Sequence, residues 1–152
     1  MRARKSVSSQ QSMCVQPTFI IGTYDEDGNA DFAPITWLSV TGDGDRFLLV
    51  VSMFGTKKTK MNVKKTGRLS ANLVSTDMLP LVDYFGSVSG HQGLKTVTCG
   101  ESDTFFCEIK NVQISEDIDI MDGIDLTCFD PVVYSGHYHS LGDHLGKIGD
   151  YL

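Results

Sequence analysis

The sequence predicts a mainly β, barrel-like domain with a few short α-helices. Runs of β-branched and aromatic residues recur along the chain, and turn motifs rich in Gly and Asp separate them. Strand patterns outnumber helix patterns. A length of 152 residues, 41% of them hydrophobic, suits one domain with a sizeable core.

The first predicted hairpin spans residues 18–40. Residues 18–24 are β-branched and aromatic, as in a strand, and the DEDGN segment at 25–29 supplies a turn. Residues 30–40 form the returning strand, which contains Pro34. Because proline donates no ladder hydrogen bond, we expect this strand to bulge or bend at Pro34, or to lie at a sheet edge.

The next segment predicts a buried strand followed by a helix. The TGDGD turn at 41–45 precedes an apolar run at 46–52, which we expect to be a strand buried on both faces. A short helix is predicted in TKKTKMNVKKTG at 56–67, with Thr56 at the N-cap and Gly67 after the last basic residue. Its apolar stripe is thin and consists of Met61 and Val63.

The patterns in the rest of the chain are shorter. Residues 68–74 alternate as a half-buried strand does. Residues 104–114 also alternate, but the phase slips by one near Asn111, which predicts a β-bulge. Residues 115–130 are acidic and irregular, and the chain from Pro131 ends in a Gly-rich tail.

Composition excludes several classes of protein. Nineteen Asp plus Glu against thirteen Lys plus Arg give a net charge of −6, which disfavours non-specific binding of nucleic acid. The longest purely apolar run, at 47–51, is far shorter than the ~20 residues that cross a bilayer. We therefore expect no nucleic-acid partner and no membrane partner.

The N-terminal residues are charged and polar and lack the apolar stretch of a secretory signal. We expect residues 1–16 to form a flexible N-terminus and residues 17–152 to form the folded domain. The cysteines are dispersed, which favours reduced structural thiols in a cytoplasmic protein, while their even number leaves disulfides possible. They are Cys14, Cys99, Cys107 and Cys128.

A basic island at residues 54–68 is the clearest chemical signal. It holds six of the thirteen basic residues and no acid: Lys57, Lys58, Lys60, Lys64, Lys65 and Arg68. A helix N-terminus beside ammonium and hydroxyl groups can hold a phosphate monoester. The competing interpretation is a solvated helix face, which most lysine runs are.

Five segments follow one another in a characteristic order: PTFIIGTYDEDGNADFAPITWLSV, FLLVVSMFGTKKTKMN, TGRLSANLV, FGSVSGH and DPVVYSGHYHSLGDHLGK. In this order and spacing they resemble the flavin reductase-like, FMN-binding split-barrel family, which includes flavoredoxin. The resemblance extends from Pro17 to Lys147 and implies a Greek-key split barrel of about six strands. The chain departs from the family pattern where only QGLK separates GSVSGH from TVTCGES, since the family has a longer stretch there.

The resemblance also implies a cofactor site. The APITW segment at 33–37 would present its backbone to the isoalloxazine ring, the basic island would hold the ribityl phosphate, and a Ser-Gly pair would lie near the flavin. The FMN-binding residues implied are Ala33, Pro34, Thr36, Trp37, Ser52, Thr56, Lys57, Lys58, Thr59, Asn62, Ser89 and Gly90.

The function implied by the resemblance is that of a homodimeric flavin reductase-like oxidoreductase. It would take electrons from NADH or NADPH and pass them through bound FMN to an acceptor that the sequence does not identify. A flavoredoxin-like electron carrier without direct NAD(P)H oxidation is the alternative. No catalytic side chain is expected, because the flavin itself carries the hydride step.

A structural or metal-binding β-barrel is the alternative from another class. His137, His139 and His144 form an H-x-H-x4-H pattern, and the first two would share one face of a strand. A solvated tail is the favoured interpretation of these histidines. Trp37 either stacks on a ring or belongs to a core or interface, and Cys99 and Cys107 are expected to be structural rather than redox partners.

Overall fold

The computed structural model describes residues 6, 14–88, 101–118, 120, 124, 126, 128–143 and 145. Within them the chain is mainly β, as predicted, with three antiparallel sheets of three strands each. The strands are β1 (Gln16–Pro17), β2 (Phe19–Tyr24), β3 (Ala30–Ile35), β4 (Leu38–Asp43), β5 (Arg46–Met53), β6 (Ser70–Leu73), β7 (Asp103–Glu108), β8 (Val132–Tyr134) and β9 (Tyr138–Ser140). The helices are α1 (Lys58–Thr66) and α2 (Leu79–Ser87), the latter preceded by a 3-10 turn at Thr76–Met78.

The strand count differs from the expected six or so, because the described chain divides into many short strands. The sheet orders are β3-β2-β6, β4-β5-β7 and β1-β8-β9. Gln16 pairs with Tyr134 and is the first strand residue in the part of the chain that the structure describes. None of the helices in the described ranges is both long and apolar enough to cross a membrane.

The predicted hairpin at 18–40 is present, but its returning strand is two strands. The Asp25 carboxylate accepts the Asn29 backbone N–H at 2.8 Å and so closes the turn between β2 and β3. Strand β3 ends at Ile35, and the Leu38 N–H donates to the Thr36 carbonyl at 3.0 Å, which turns the chain into β4. Pro34 lies opposite Ile20 on an edge strand, the third of the three expected arrangements.

Strand β5 is central in its sheet, but the prediction that it is buried on both faces is wrong. Val51 and Met53 are fully buried, whereas Phe47 is 72% exposed. The preceding turn is shorter than predicted, because β4 continues to Asp43 and pairs with Arg46 across Gly44 and Asp45. Phe47 is on the same face as Val51 but lies beyond the end of the core, and on the other face Leu48 and Val50 are only half-buried. An antiparallel sheet needs only one covered face.

Two further sequence predictions are corrected. Strand β7 ends at Glu108 opposite Leu48, and no strand or bulge is present at residues 109–114, so the phase slip near Asn111 marks the end of a strand. Helix α2 was not predicted. It packs on β3, where the Phe32 and Phe85 rings lie 5.1 Å apart. Its sequence, LPLVDYFGS, contains Pro80 and Gly86, which sequence patterns associate with turns, although Leu79, Val82 and Phe85 recur at helical spacing and pack on the core.

Two apolar clusters hold these elements together. The larger lies between the sheets β3-β2-β6 and β4-β5-β7 and is built on Ile21, Ile35, Leu38, Val51, Met53 and Val63. The smaller joins β2 to α2 and β8 through Ile20, Val74, Val82 and Val132. Since Val63 belongs to α1, the first cluster fixes that helix, and with it the basic island, against the sheets.

Candidate functional site

The basic island forms α1, as the sequence predicts, but the helix begins one residue later than expected. Its N-cap is Lys57 rather than Thr56, and no side chain caps the N-terminus. The first N–H groups of a helix have no acceptor within the helix, so those of Lys58, Thr59 and Lys60 can bind an anion. Gly67, with φ 66°, ends the helix where it was predicted to end.

The side chains of α1 that face the protein are mostly polar. Thr59 is 1% exposed and donates from Oγ1 to Asp31 Oδ2 at 2.6 Å. Asn62 is 4% exposed and donates from Nδ2 to Thr23 Oγ1 at 3.1 Å. Of the predicted apolar stripe, Val63 is buried but Met61 is 45% exposed, so the prediction holds for one of its two residues. The helix is therefore held to β2 and β3 by hydrogen bonds as well as by Val63.

Four of the six cations of the basic island form ion pairs with carboxylates from other elements. Lys60 Nζ and Lys64 Nζ lie 2.6 Å and 2.9 Å from Asp103 Oδ2 on β7. Lys65 Nζ lies 2.7 Å from Glu26 Oε2. Lys58 Nζ lies 3.3 Å from Asp25 Oδ2. The sequence showed an island without acids, but the fold brings acids to it.

These pairs shift the pKa values of their members. The hydrogen bond from Lys60, with a second from Lys64, lowers the pKa of Asp103. The hydrogen bond that Lys65 donates to the Glu26 carboxylate raises the pKa of Lys65. The pKa of Asp25 is lowered chiefly by the backbone N–H of Asn29, with Lys58 adding to the effect. All three shifts favour the charged forms, so the positive charge of these lysines is balanced locally.

Lys57 and Arg68 are the two cations of the island that make no ion pair with the residues described here. They lie at opposite ends of α1, Lys57 at the uncapped N-terminus and Arg68 after Gly67. The positive end of the helix dipole is at the N-terminus. Among the contacts of the described residues, a cation without an ion pair and N–H groups without acceptors therefore coincide at Lys57.

The APITW segment is joined to the end of β5. Ala33 is buried on β3, while Trp37 is 49% exposed and follows the break in the strand. The Trp37 carbonyl accepts the Ser52 backbone N–H at 2.9 Å. Ser52 Oγ in turn lies 2.7 Å from Thr104 Oγ1. The fold thus brings Ser52 to Trp37, and only a short loop separates Ser52 from α1.

Some predicted residues lie outside the described residues: Ser89, Gly90, Cys99 and His144. Of the other two histidines, His139 is on β9 and His137 is in the turn before it. Among the described residues, no group of three or more His, Cys, Asp or Glu side chains is placed to hold a metal ion. Burial raises the pKa of the Cys107 thiol, which keeps it protonated, as expected of a structural cysteine.

A cavity of about 300 Å³ beside α1 is lined in part by Asp25, Glu26, Asp27, Lys58 and Lys65. Its three carboxylates make it a poor site for a phosphate. The anion-binding potential of α1 is therefore confined to the helix N-terminus.

Sequence reasoning missed three residues that shape this region: Asp31, Asp103 and Thr104. Each acts through a partner that is distant in sequence, namely Thr59, Lys60 and Ser52. No local pattern distinguishes them from other polar residues of a strand. Only the strand pairings, which bring β7 beside β5, place Thr104 opposite Ser52.

Solved structures share this architecture along nearly the whole chain. Flavoredoxin from Methanosarcina acetivorans superposes with a TM-score of 0.83 at 20% sequence identity, covering 98% of this chain and 97% of that one. Flavoredoxin of Desulfovibrio vulgaris (Miyazaki F) gives a TM-score of 0.82 at 20% identity, covering 97% and 98%. The chain has the flavoredoxin fold.

A putative flavin reductase with a split barrel domain from Shewanella frigidimarina has the same fold. Its TM-score is 0.74 at 18% identity, and the match covers 91% of this chain and 88% of that one. No family sequence model matches the chain. No curated protein sequence matches it either. At these identities the likeness establishes the flavoredoxin fold and agrees with the resemblance seen in the sequence.

Proposed function

We propose that this chain is an FMN-binding oxidoreductase, which takes electrons from NADH or NADPH and passes them through the flavin to an acceptor. Similar structures are those of flavoredoxins and of a flavin reductase. The observation that carries the proposal is the uncapped N-terminus of α1, where Lys57 is a cation without an ion pair among the described residues. That end of the helix suits the terminal phosphate of FMN.

The phosphate site we propose consists of the N–H groups of the first turn of α1 together with Thr56, Lys57 and Lys58. Thr56 and Lys57 are exposed, so they are accessible to a ligand. Lys58 also pairs with Asp25, and the distance between Lys58 Nζ and Asp25 Oδ2 is the longest of the four ion-pair distances of the island. Each charge-assisted hydrogen bond to phosphate is worth on the order of 1.5–3 kcal/mol. Thr59 and Asn62 support this site from its inner side.

The ring site we propose consists of Ala33, Pro34, Thr36 and Trp37, with Ser52 between ring and phosphate and with Ser89 and Gly90 completing the set. When bound, the flavin supplies the redox chemistry. The protein contributes binding and orientation. The break between β3 and β4 puts Thr36 and Trp37 outside a regular strand. Their carbonyls accept the Leu38 and Ser52 N–H groups, so their own N–H groups are the backbone groups that we propose face a planar ligand. No acid, base or nucleophile is required of these side chains.

A flavoredoxin-like electron carrier, without direct oxidation of NAD(P)H, is the second candidate. It is favoured by the two flavoredoxin structures, which match this chain over 97–98% of its length. The two candidates share the FMN site and differ only in the electron donor.

We also propose that the protein is a cytoplasmic homodimer. In the register of β5 with β7, Leu48, Val50 and Phe106 lie on one face, opposite the face that carries Val51 and Phe105. Phe106 is 67% exposed. This outer face, defined by Leu48, Val50 and Phe106, is an apolar patch bordered by Ser39, Thr41 and Glu108. We propose that a second copy of the chain covers it.

The test begins with the absorbance of freshly purified protein, which should show the oxidised flavin band at about 450 nm. The chromophore is then released and identified as FMN by chromatography. Anaerobic mixing with NADH and with NADPH follows. If either donor bleaches the band, the reductase function is supported. If the band persists with both donors, the electron-carrier function is supported instead. Protein that neither contains nor takes up FMN refutes the proposal.

A further inference from the structure

The hydrogen bond between Thr59 and Asp31 joins the two halves of the proposed cofactor site. Thr59 is the second residue of α1, next to the N–H groups proposed to bind phosphate. Asp31 is the second residue of β3, the strand that leads directly into the proposed ring segment. The donor is 1% exposed and the Oγ1–Oδ2 distance is 2.6 Å, as in a strong charge-assisted bond.

A second route from α1 reaches the same aspartate. Asn62 Nδ2 donates to Thr23 Oγ1 at 3.1 Å, and Thr23 Oγ1 donates to the Asp31 carbonyl at 3.4 Å. Thr23 and Asn62 are both buried. Two of the three buried polar side chains of α1, Thr59 and Asn62, therefore lead to Asp31, one to its carboxylate and one to its backbone.

We propose that Asp31 is a positioning residue, which fixes the N-terminal turn of α1 relative to β3 so that phosphate and ring are bound in register. This inference rests on the proposed FMN site and assigns a role to a residue outside it. In this proposal Thr59 contributes through its bond to Asp31. It does not donate to the phosphate, because its hydroxyl proton is already donated to the carboxylate.

Removing the Asp31 carboxylate tests the proposal, because the alternative, in which Thr59 binds the phosphate directly, predicts the opposite change in FMN affinity. If Thr59 bound the phosphate directly, Asp31 would compete for its hydroxyl and would repel the anion. Removing the carboxylate would then tighten FMN binding. If Asp31 positions the helix, removing it leaves the buried Thr59 hydroxyl without an acceptor and displaces the first turn. FMN binding then weakens.

The experiment measures the dissociation constants of FMN and of riboflavin for flavin-free protein by fluorescence quenching. For Asp31→Ala we expect FMN binding to weaken by about tenfold or more, since small displacements of a binding group are costly. Riboflavin, which lacks the phosphate, should change by less than about twofold. Asp31→Asn keeps an oxygen that accepts from Thr59 and should restore FMN binding. The matched control is Asp45→Ala, an exposed aspartate in the β4–β5 turn.

Each outcome decides the question. FMN binding by Asp31→Ala that is unchanged or tighter overturns the positioning role, and so does an equal loss of FMN and riboflavin affinity. If Asp31→Ala does not fold, Asp31→Glu decides, because it keeps the charge but moves the carboxylate. A lower FMN affinity with unchanged riboflavin affinity then supports the positioning role. An unchanged ratio of the FMN and riboflavin dissociation constants overturns it. Native protein that binds riboflavin and FMN equally overturns the phosphate site, and native protein that binds neither overturns the whole proposed function.

Discussion

Lys60 Nζ lies 2.6 Å from Asp103 Oδ2, in an ion pair that joins α1 to the first residue of β7. Lys60 also donates to the Glu101 carbonyl at 2.9 Å, and only 8% of the residue is exposed. A lysine this buried needs both partners, because an unpaired buried ammonium is unfavourable. The pair therefore fixes one side of the helix that carries the proposed phosphate site.

The variant Asp103→Asn is predicted to be less stable than the native protein at neutral pH. The lysine partners lower the folded-state pKa of Asp103 below its unfolded value of about 4. A depressed carboxyl pKa contributes stability that is present above the unfolded pKa and is lost as pH falls through the folded pKa. The difference in unfolding free energy between native and variant protein should thus shrink below about pH 4.

Urea titrations between neutral and acidic pH measure that difference directly. The control is Asp45→Asn, since Asp45 is an exposed residue of a turn. An Asp103→Asn protein as stable as the native one at pH 7 would show that the ion pair has no net stabilising effect. A difference that grows on acidification would reverse the sign argued above.

Lys57→Ala is predicted to weaken FMN binding, whereas Arg68→Ala is not. Both cations lack an ion pair within the described ranges, and both belong to the basic island, but only Lys57 adjoins the helix N-terminus. Loss of one charge-assisted contact corresponds to an affinity about tenfold lower. Equilibrium titration with FMN at low and high salt checks this, and the salt dependence should be shallower for Lys57→Ala, which retains fewer charges to be screened.

Equal effects of the two variants would contradict the proposed site, because they would show that the island attracts FMN only by its total charge. Riboflavin provides a second control, since its affinity should not respond to either change.

Gly67→Ala is predicted to destabilise the fold by about 1 kcal/mol, because alanine in the left-handed region is strained. Gly67 has φ 66°, and its N–H donates to the Val63 carbonyl at 2.8 Å to end α1. A Cβ at this position would meet no atom within 4 Å, so the cost comes from the backbone alone. Chemical denaturation measures it.

Gly42→Ala is the matched control for Gly67→Ala. It too has no neighbour within 4 Å of an added Cβ, but its backbone is in the extended region of β4. It should be neutral or slightly stabilising, since alanine reduces the freedom of the unfolded chain. A Gly67→Ala protein no less stable than Gly42→Ala would show that the helix end adapts without strain.

The sequence predicts those features that depend on neighbouring residues. The β2–β3 turn, the helix of the basic island and its end at Gly67 all follow from local chemistry, and all are present. The order of the motifs led to the fold that the solved structures share.

Features that depend on pairing between distant residues could not be predicted. The carboxylate of Asp103 reaches Lys60 only because β7 pairs with β5. Phe47 is exposed although it shares a face of β5 with the buried Val51, because the core does not extend to that end of the strand. Likewise, the hydrogen bond from Thr59 to Asp31 joins residues that are far apart in the sequence, so no pattern near Thr59 predicts it.

Phe106→Lys is predicted to convert the proposed homodimer to a monomer. Phe106 is 67% exposed on the outer face, and a dimer that covers this face would bury the lysine against Leu48 and Val50 of its own sheet. An unpaired buried charge opposes association strongly. Light scattering after size-exclusion chromatography measures the mass. Tyr24→Lys is the control, because Tyr24 is 65% exposed on β2 in a different sheet. A Phe106→Lys protein that remains dimeric would place the interface elsewhere, and native protein with the mass of one chain would refute the dimer itself.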